Sequence, residues 1–331
     1  MKSFFIVDAA KHRGASALQS RFLVAAKQLR DRSDGNGKYL SLSLCDRSGR
    51  LDGRVWDNAE ALAARFDVND YVEATFHVDE YRGKLQFRVL DVKKLSAEQV
   101  DQADFQRQTT RDIDALWSQL RGYVERFSDA DLRRLVFAFL DDPEIAARYK
   151  AAPAAKMMHH AWIGGLLEHV VDLLEFCDLA ATHFPMIHRD LLLTGAILHD
   201  IGKIYELSWE RGLEYTLEGQ LIGHISIGTR LLDEKVKQLP GFPKALHTLV
   251  EHIILSHHGS LEFGSPKLPM IPEAVLLHYL DDAEAKMLAM KEACEPPEGG
   301  PRPVYLDRVR ALERPLVNTR EYLAQNAAKE D

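Results

Sequence analysis

Five stretches of this sequence each put a metal-ligating residue type on an apolar line of helical spacing. Leu166, His169, Leu173 and Cys177 follow intervals of three, four and four. Leu192, Gly195 and His199 share a second line, with Asp200 beside His199. Leu221, His224, Gly228 and Leu231 make a third. Leu246, Val250, Ile253 and His257 make a fourth, with His258 next, and Ala274, Leu277, Asp281 and Leu288 a fifth. Such lines face the core of a helical bundle. A lone buried histidine is usually structural. Five polar groups turned toward one interior need a shared solution, because an unpaired buried polar group costs several kcal/mol. A metal centre supplies one.

The residue types narrow the metal. Imidazoles and carboxylates without thiolate suit Mn, Fe, Co, Ni or Zn. His199 and Asp200 diverge by about 100° on a helix. One can ligate a metal while the carboxylate bridges toward a second. Two divalent metals about 3.5–4 Å apart are a common apparatus for phosphoester hydrolysis, creating hydroxide near neutral pH. His257 is preferred to His258 as a ligand because it continues the apolar line; His258 is then expected at the substrate phosphate or behind the ligands. Lys203, three residues after Asp200, offers a point charge for a phosphate, or else a salt bridge to Asp200. His160 and Ser265 are further substrate candidates. His183, His188, His247 and His252 read as ordinary surface or packing residues.

The elements that must position these groups come in two kinds. Residues 1–95 read as strands: Phe4–Val7, Lys38–Leu44, Leu51–Trp56, Tyr71–Val78 and Leu85–Leu90, with a turn at Asp46–Arg50 and one helical stretch, Glu60–Arg65. Ser16–Arg32 fits that pattern only loosely. Several short strands with one helix suit a small Greek-key barrel, the OB-fold first. Residues 96–110 are polar and read as a linker or a connecting helix. From Asp112 the pattern is helical, without strand-like alternation, so 111–295 is expected to be an all-α bundle. Residues 296–331 are expected to be a loop, a helical extension (Val304–Leu323) and a tail.

Charge and histidine follow the same division. Residues 1–95 hold 17 Lys and Arg against 13 Asp and Glu, a net of +4, while the remainder holds 25 against 37, a net of −12. The first part can favour an anionic partner. Twelve of the 14 histidines lie between His159 and His278, so the ligand chemistry belongs to the second. In the first part Tyr39, Trp56, Phe76, Tyr81 and Phe87 lie among Lys38, Arg54, Arg82, Lys84 and Arg88. Aromatic and cationic residues interleaved in this way can stack bases and hold a phosphate backbone. Lys38, Tyr39, Arg54, Trp56, Arg82 and Lys84 are the nucleic-acid candidates, though some of these aromatics must serve as barrel core. Three scattered cysteines exclude a disulfide framework and fit a reducing cytoplasm. The apolar runs are too short to span a membrane, and the N-terminal one too short for a signal peptide.

His169, His199-Asp200 and Asp281 resemble the H…HD…D signature of the HD phosphohydrolase superfamily. His224 and His257 match the extra histidines of its two-metal branches, and His199–Lys203 is similar to its HDIGK string. With a barrel in front, the chain resembles the YhaM-type 3′-to-5′ exoribonucleases. The likeness runs through His159–His169, Ser256–Gly259, Gly264–Pro266, Pro272–Asp281 and, in the barrel, Gly37–Asp57. It implies metal-dependent removal of nucleotides from 3′ ends of RNA or single-stranded DNA. His169, His199 and Asp281 would hold one metal, His224 and His257 a second, and Asp200 would be shared, with manganese the first choice. An acidic pair often found in the Asp281 helix of that family reads here as Asp282 and Glu284. Self-association is left open by the sequence. Two rivals stand beside this reading: a phosphohydrolase for a small nucleotide or cyclic dinucleotide, and a non-catalytic nucleic-acid binder with a structural metal.

Overall fold

A computed structural model describes residues 2, 4–32, 35, 37–81, 83–156, 160–209, 212–295 and 302–327. The chain divides into two compact units, one built on residues up to Gln108, the other on Thr109–Trp209 and Leu213 onward.

The first unit is a closed barrel of β1 (Leu18–Asp31), β2 (Lys38–Asp46), β3 (Gly49–Val55), β4 (Tyr71–Tyr81) and β5 (Lys84–Leu95), with helix α1 (Ala59–Ala63) between β3 and β4. The order around the barrel is β1-β2-β3-β5-β4, and β1 closes it by pairing with both β2 and β4. Only β3 and β5 run parallel. Alternation explains the inside: Leu40, Leu42 and Leu44 of β2 are buried with Phe22, Phe76 and Phe87.

Three expectations for this unit need correction. Phe4–Val7 is not a strand: Ile6 opens a 3₁₀ turn running to His12, and Phe4 packs on Phe76 at 5.2 Å. The apolar residues here plug the barrel. Ser16–Arg32, which fits the strand pattern loosely, contains the longest strand, β1; a bulge between Val24 and Ala26 breaks its period of two. The polar stretch 96–110 is not a free linker. Phe105 is buried against Tyr71 at 4.8 Å, in a small cluster with Leu23 and Leu95.

The second unit is helical: α2 (Ile113–Glu125), α3 (Ala130–Leu140), α4 (Pro143–Ala151), α5 (Gly165–His183), α6 (Arg189–Leu198), α7 (Lys203–Glu206), α8 (Leu217–Ile222), α9 (His224–Lys237), α10 (Lys244–Ser256) and α11 (Pro272–Cys294). Asp112, Asp129 and Asp142 cap α2, α3 and α4, each carboxylate accepting two main-chain N–H groups. Every residue from Asp190 to Leu198 is buried, so α6 is a core helix surrounded by its neighbours. The unit is not purely α-helical. Two-stranded ribbons join β6 (Leu207–Ser208) to β7 (Glu214–Tyr215) and β8 (Tyr305–Val309) to β9 (Arg314–Val317). The expected C-terminal helix is therefore mostly the second ribbon, followed by α12 (Thr319–Ala327). No helix among the described residues is long and apolar enough to cross a membrane.

Candidate metal centre

Five element ends or faces converge on one interior. α5 carries His169; α6 stops immediately before His199-Asp200; α9 begins at His224; α10 stops immediately before His257; α11 carries Asp281. The third apolar line is not continuous. Gly223, with φ +78°, separates α8 from α9, and Leu221 of α8 is exposed. His224 reaches the interior as the first residue of a helix, not from the middle of one.

Each ligand-type imidazole has one nitrogen tied down. The Nδ1–H of His199 donates to Ala196 O at 3.0 Å, and that of His257 to Ile254 O at 2.8 Å. These bonds also satisfy carbonyls left open at a helix C-terminus. His169 Nδ1–H donates to Glu284 Oε2 at 2.8 Å and His224 Nδ1–H to Glu206 Oε1 at 3.0 Å. All four partners are acceptors, so in each neutral ring the lone pair falls to Nε2, which faces the interior. His169, with a carboxylate at each nitrogen, is pushed up to about 10 despite its burial and would give up its Nε2 proton on ligating a cation.

Those Nε2 atoms gather on two carboxylates. His169 Nε2 lies 3.2 Å from Asp281 Oδ1, and His199 Nε2 lies 3.3 Å from Asp200 Oδ2. On its other side Asp200 Oδ1 faces His224 Nε2 at 3.5 Å and His257 Nε2 at 3.6 Å. Among the described residues, Nε2 of His199, His224 and His257 and Oδ1 of Asp200 are buried with no hydrogen-bond partner. Burial of such groups costs too much unless something satisfies them. Divalent cations fit this donor set: neutral imidazoles, carboxylates and no thiolate. Burial holds His257 below the usual imidazole range, so it is a neutral donor. Burial opposes the charge on Asp200 and Asp281, but the positive charge of Lys203 beside Asp200 and the His169 ring bonded to Asp281 outweigh it, and both stay ionised.

The remaining candidates divide. Lys203 Nζ lies 2.5 Å from Asp200 Oδ2, making the salt bridge that its spacing allowed. His258 donates from Nδ1 to Phe263 O at 2.8 Å, which leaves its Nε2 beside the ligand atoms of His224 and His257. His160 is buried beside His169, with ring centroids 5.5 Å apart, and its Nε2 lies on Glu284 Oε1 at 2.8 Å. Ser265 is buried too, its hydroxyl against Leu255 O and Lys267 O, so its single hydrogen is committed to pinning a loop. Glu206 and Glu284 were missed as orienting groups. Glu284 lies one helical turn beyond Asp281, which is the signal that marks it; Glu206 has no such mark.

On the barrel, Tyr39 and Trp56 stack at 4.9 Å with an interplanar angle of 27°. They line a cleft of about 490 Å³ together with Arg32, Arg54, Tyr81 and Gln86. Arg54 is held by Ser41 Oγ at 2.9 Å, and Lys38 lies 3.4 Å from Glu60. Lys84 is exposed at the start of β5. Arg82 lies outside the described residues.

The fold and this histidine–aspartate cluster define an HD-domain protein with an OB barrel in front. Family models match accordingly: the HD domain over residues 166–286 and the OB-fold nucleic acid binding domain over 23–95. The chain is similar to the 3′-5′ exoribonuclease YhaM of Bacillus subtilis (strain 168), 35% identical over 280 residues that cover 84% of this chain and 87% of that protein. It is similar to the 3′-5′ exoribonuclease YhaM of Halalkalibacterium halodurans, 33% identical over 299 residues covering 90% and 91%. The chain belongs to the YhaM family of 3′-5′ exoribonucleases.

Proposed function

We propose that this chain is a metal-dependent exonuclease that shortens single-stranded RNA, and single-stranded DNA as a second substrate, from the 3′ end to 5′-mononucleotides in the cytoplasm. One observation carries the two-metal form of this reading: the two oxygens of Asp200 face different sets of imidazoles, Oδ2 toward His199 and Oδ1 toward His224 and His257. A carboxylate so placed is suited to sharing between two cations, one with His169, His199 and Asp281, the other with His224 and His257. Manganese is the first choice from the family resemblance, and imidazole and carboxylate donors accept it alongside Fe, Co, Ni and Zn. Divalent metals bound there would supply an activated water and stabilise charge on phosphoryl oxygens.

The chain's own residues do the rest. The Nδ1 hydrogen bonds hold four rings in orientation before any ligand arrives, so little reorganisation is needed. Lys203 holds a positive charge at the edge of Asp200, where a phosphate oxygen can meet it. Tyr39 and Trp56 offer a stacking platform for a single strand, with Arg54 and Lys84 for its backbone.

The test is a 5′-labelled single-stranded RNA incubated with Mn²⁺ and either wild type or Asp200→Ala. A ladder shortening from the 3′ end, absent with the variant, supports both the direction and the shared carboxylate. RNA left intact by wild type under several metals would favour the small-nucleotide phosphohydrolase instead.

A further inference from the structure

Both nitrogens of His169 are claimed by the same helix. Asp281 and Glu284, one turn apart on α11, lie 3.2 Å from Nε2 and 2.8 Å from Nδ1. Glu284 is buried, and its second oxygen is taken by His160 Nε2 at 2.8 Å. His160 is anchored in turn. Its backbone is left-handed at φ +51°. Its carbonyl accepts the N–H groups of Ala154 at 3.1 Å and Trp162 at 2.8 Å. Gly165 lies against that carbonyl so closely that a Cβ there would stand 2.1 Å from the oxygen. A non-glycine residue in the left-handed region costs of order 1–3 kcal/mol, and it persists where the surroundings over-determine it.

We infer that His160 and Glu284 are positioning residues that set the metal affinity of the His169 half of the centre, independently of the His224 half. This rests on the two-metal reading above. The argument is one of proton inventory. Glu284 can only accept, so both imidazoles must present N–H to it. For His169 that N–H is Nδ1, which turns Nε2, 3.2 Å from Asp281 Oδ1, toward the place of the cation. His160 orients the carboxylate by holding its other oxygen. The His224 half has its own carboxylate, Glu206, while the oxygens of Glu284 are given to His160 and His169.

Glu284→Gln tests this with almost no change of shape. A glutamine offers one acceptor and one donor, so only one of the two imidazoles can still give it a hydrogen. Where its amide faces His169, Nδ1 must accept and the proton moves to Nε2, which cannot then ligate. Removing an orienting partner of this kind typically lowers metal affinity about 10–100-fold.

The experiment is a calorimetric titration of chelator-treated full-length protein with Mn²⁺, using wild type, Glu284→Gln, His160→Ala, His160→Gln and Glu206→Gln. Wild type should show two binding events. Glu284→Gln and His160→Ala should weaken the same one about 10–100-fold. His160→Gln, which can keep an N–H on Glu284, should restore it, and Glu206→Gln should weaken the other. Excess Mn²⁺ should recover the kcat lost in Glu284→Gln with the KM for RNA unmoved. Equal Mn²⁺ affinities in wild type and Glu284→Gln would overturn the inference while leaving the nuclease reading intact. A wild type that takes up no Mn²⁺ would overturn both. If Glu284→Gln loses its helical circular dichroism, the contrast between His160→Ala and His160→Gln decides, equal affinities there counting against the inference.

Discussion

Glu206 and His224 are joined twice through one atom: Glu206 Oε1 accepts the main-chain N–H of His224 at 2.9 Å and its ring Nδ1–H at 3.0 Å. The first bond satisfies an N–H left open at the start of α9; the second fixes the tautomer of a side chain in the cluster. A buried acid that caps a helix and aims its first residue has two functions, and they can be separated by substitution.

Glu206→Gln keeps an acceptor oxygen for one of the two donors, whereas Glu206→Ala keeps none. RNA hydrolysis at fixed Mn²⁺ should fall about 10–100-fold in Glu206→Ala and less in Glu206→Gln. Steady-state kinetics across a Mn²⁺ series should show the loss as a shift in metal requirement. A loss in kcat that no Mn²⁺ concentration alters would count against the orienting role.

The barrel makes an independent prediction. Trp56 is 40% exposed although it stacks on Tyr39, and the Arg32 guanidinium sits 5.6 Å from its ring. A base entering this cleft gains a face to stack on, worth about 1–3 kcal/mol. Trp56→Ala should therefore weaken binding of a single-stranded oligonucleotide by about 5- to 150-fold. Hydrolysis of a small phosphodiester should stay unchanged. Fluorescence anisotropy in chelator, where no cleavage occurs, measures the first. Lys84→Ala should instead flatten the dependence of affinity on salt by about 0.7 in log–log slope.

How much of this was legible beforehand depends on what kind of signal each residue leaves. His169, His199, Asp200, His257 and Asp281 stand out because polar ligands on apolar lines are costly and rare. His224 was reached through a line that the structure breaks at Gly223, so its place in the cluster came from its residue type and its order in the chain. Glu284 is marked only by its place one turn beyond Asp281, and among the many charges of α11 a buried acid and a surface acid look alike. Strands β2, β3 and β4 were readable because their buried residues alternate, and β5 as far as Leu90, where its period breaks. β1 was not, because its bulge shifts the faces midway. The hydrogen bonds of His160 and Ser265 go to the scaffold, since a polar residue near a motif is as readily engaged there as offered to substrate.

Asp142 predicts how acid acts on the helical unit. Its carboxylate caps α4 and accepts from Lys235 Nζ at 2.8 Å, and Lys235 is buried. The Lys235 bond, helped by the cap bonds, holds the Asp142 carboxyl below its ordinary value of 3.8. A carboxyl depressed on folding stabilises above its unfolded value, and the contribution is lost as pH falls through the folded one. Asp142→Ala should cost about 1–2 kcal/mol at pH 7. The gap to wild type in urea midpoint should narrow as pH drops below about 4. A gap that stays constant down to pH 3 would show that the charge of Asp142 is irrelevant.

The glycine of the His199–Lys203 string has a geometric reason to be there. A Cβ on Gly202 would stand 2.0 Å from the carbonyl oxygen of His224 and 2.9 Å from the nitrogen of Gly228. The chain after Asp200 thus lies directly on the first turn of α9, and this close approach lets His199-Asp200 and His224 share an interior. Neither element can yield sideways, since Ile201 and Ile204 on one and Ile227 on the other are buried in the core. Gly202→Ala must push the two apart by about 1 Å, an overpacking that typically costs about 1–3 kcal/mol. A displacement of that size at the cluster can remove about 100-fold of activity. Gly228 is the control: a Cβ there meets Ile254 at 3.4 Å and Ile201 at 3.5 Å, close to ordinary contact. Gly228→Ala should therefore change the melting temperature little and keep its Mn²⁺ affinity. Gly202→Ala should lose Mn²⁺ affinity by more than its loss of stability explains. Equal behaviour of the two variants in thermal melts and Mn²⁺ titrations would mean that the contact between these two turns does not set the spacing of Asp200 and His224.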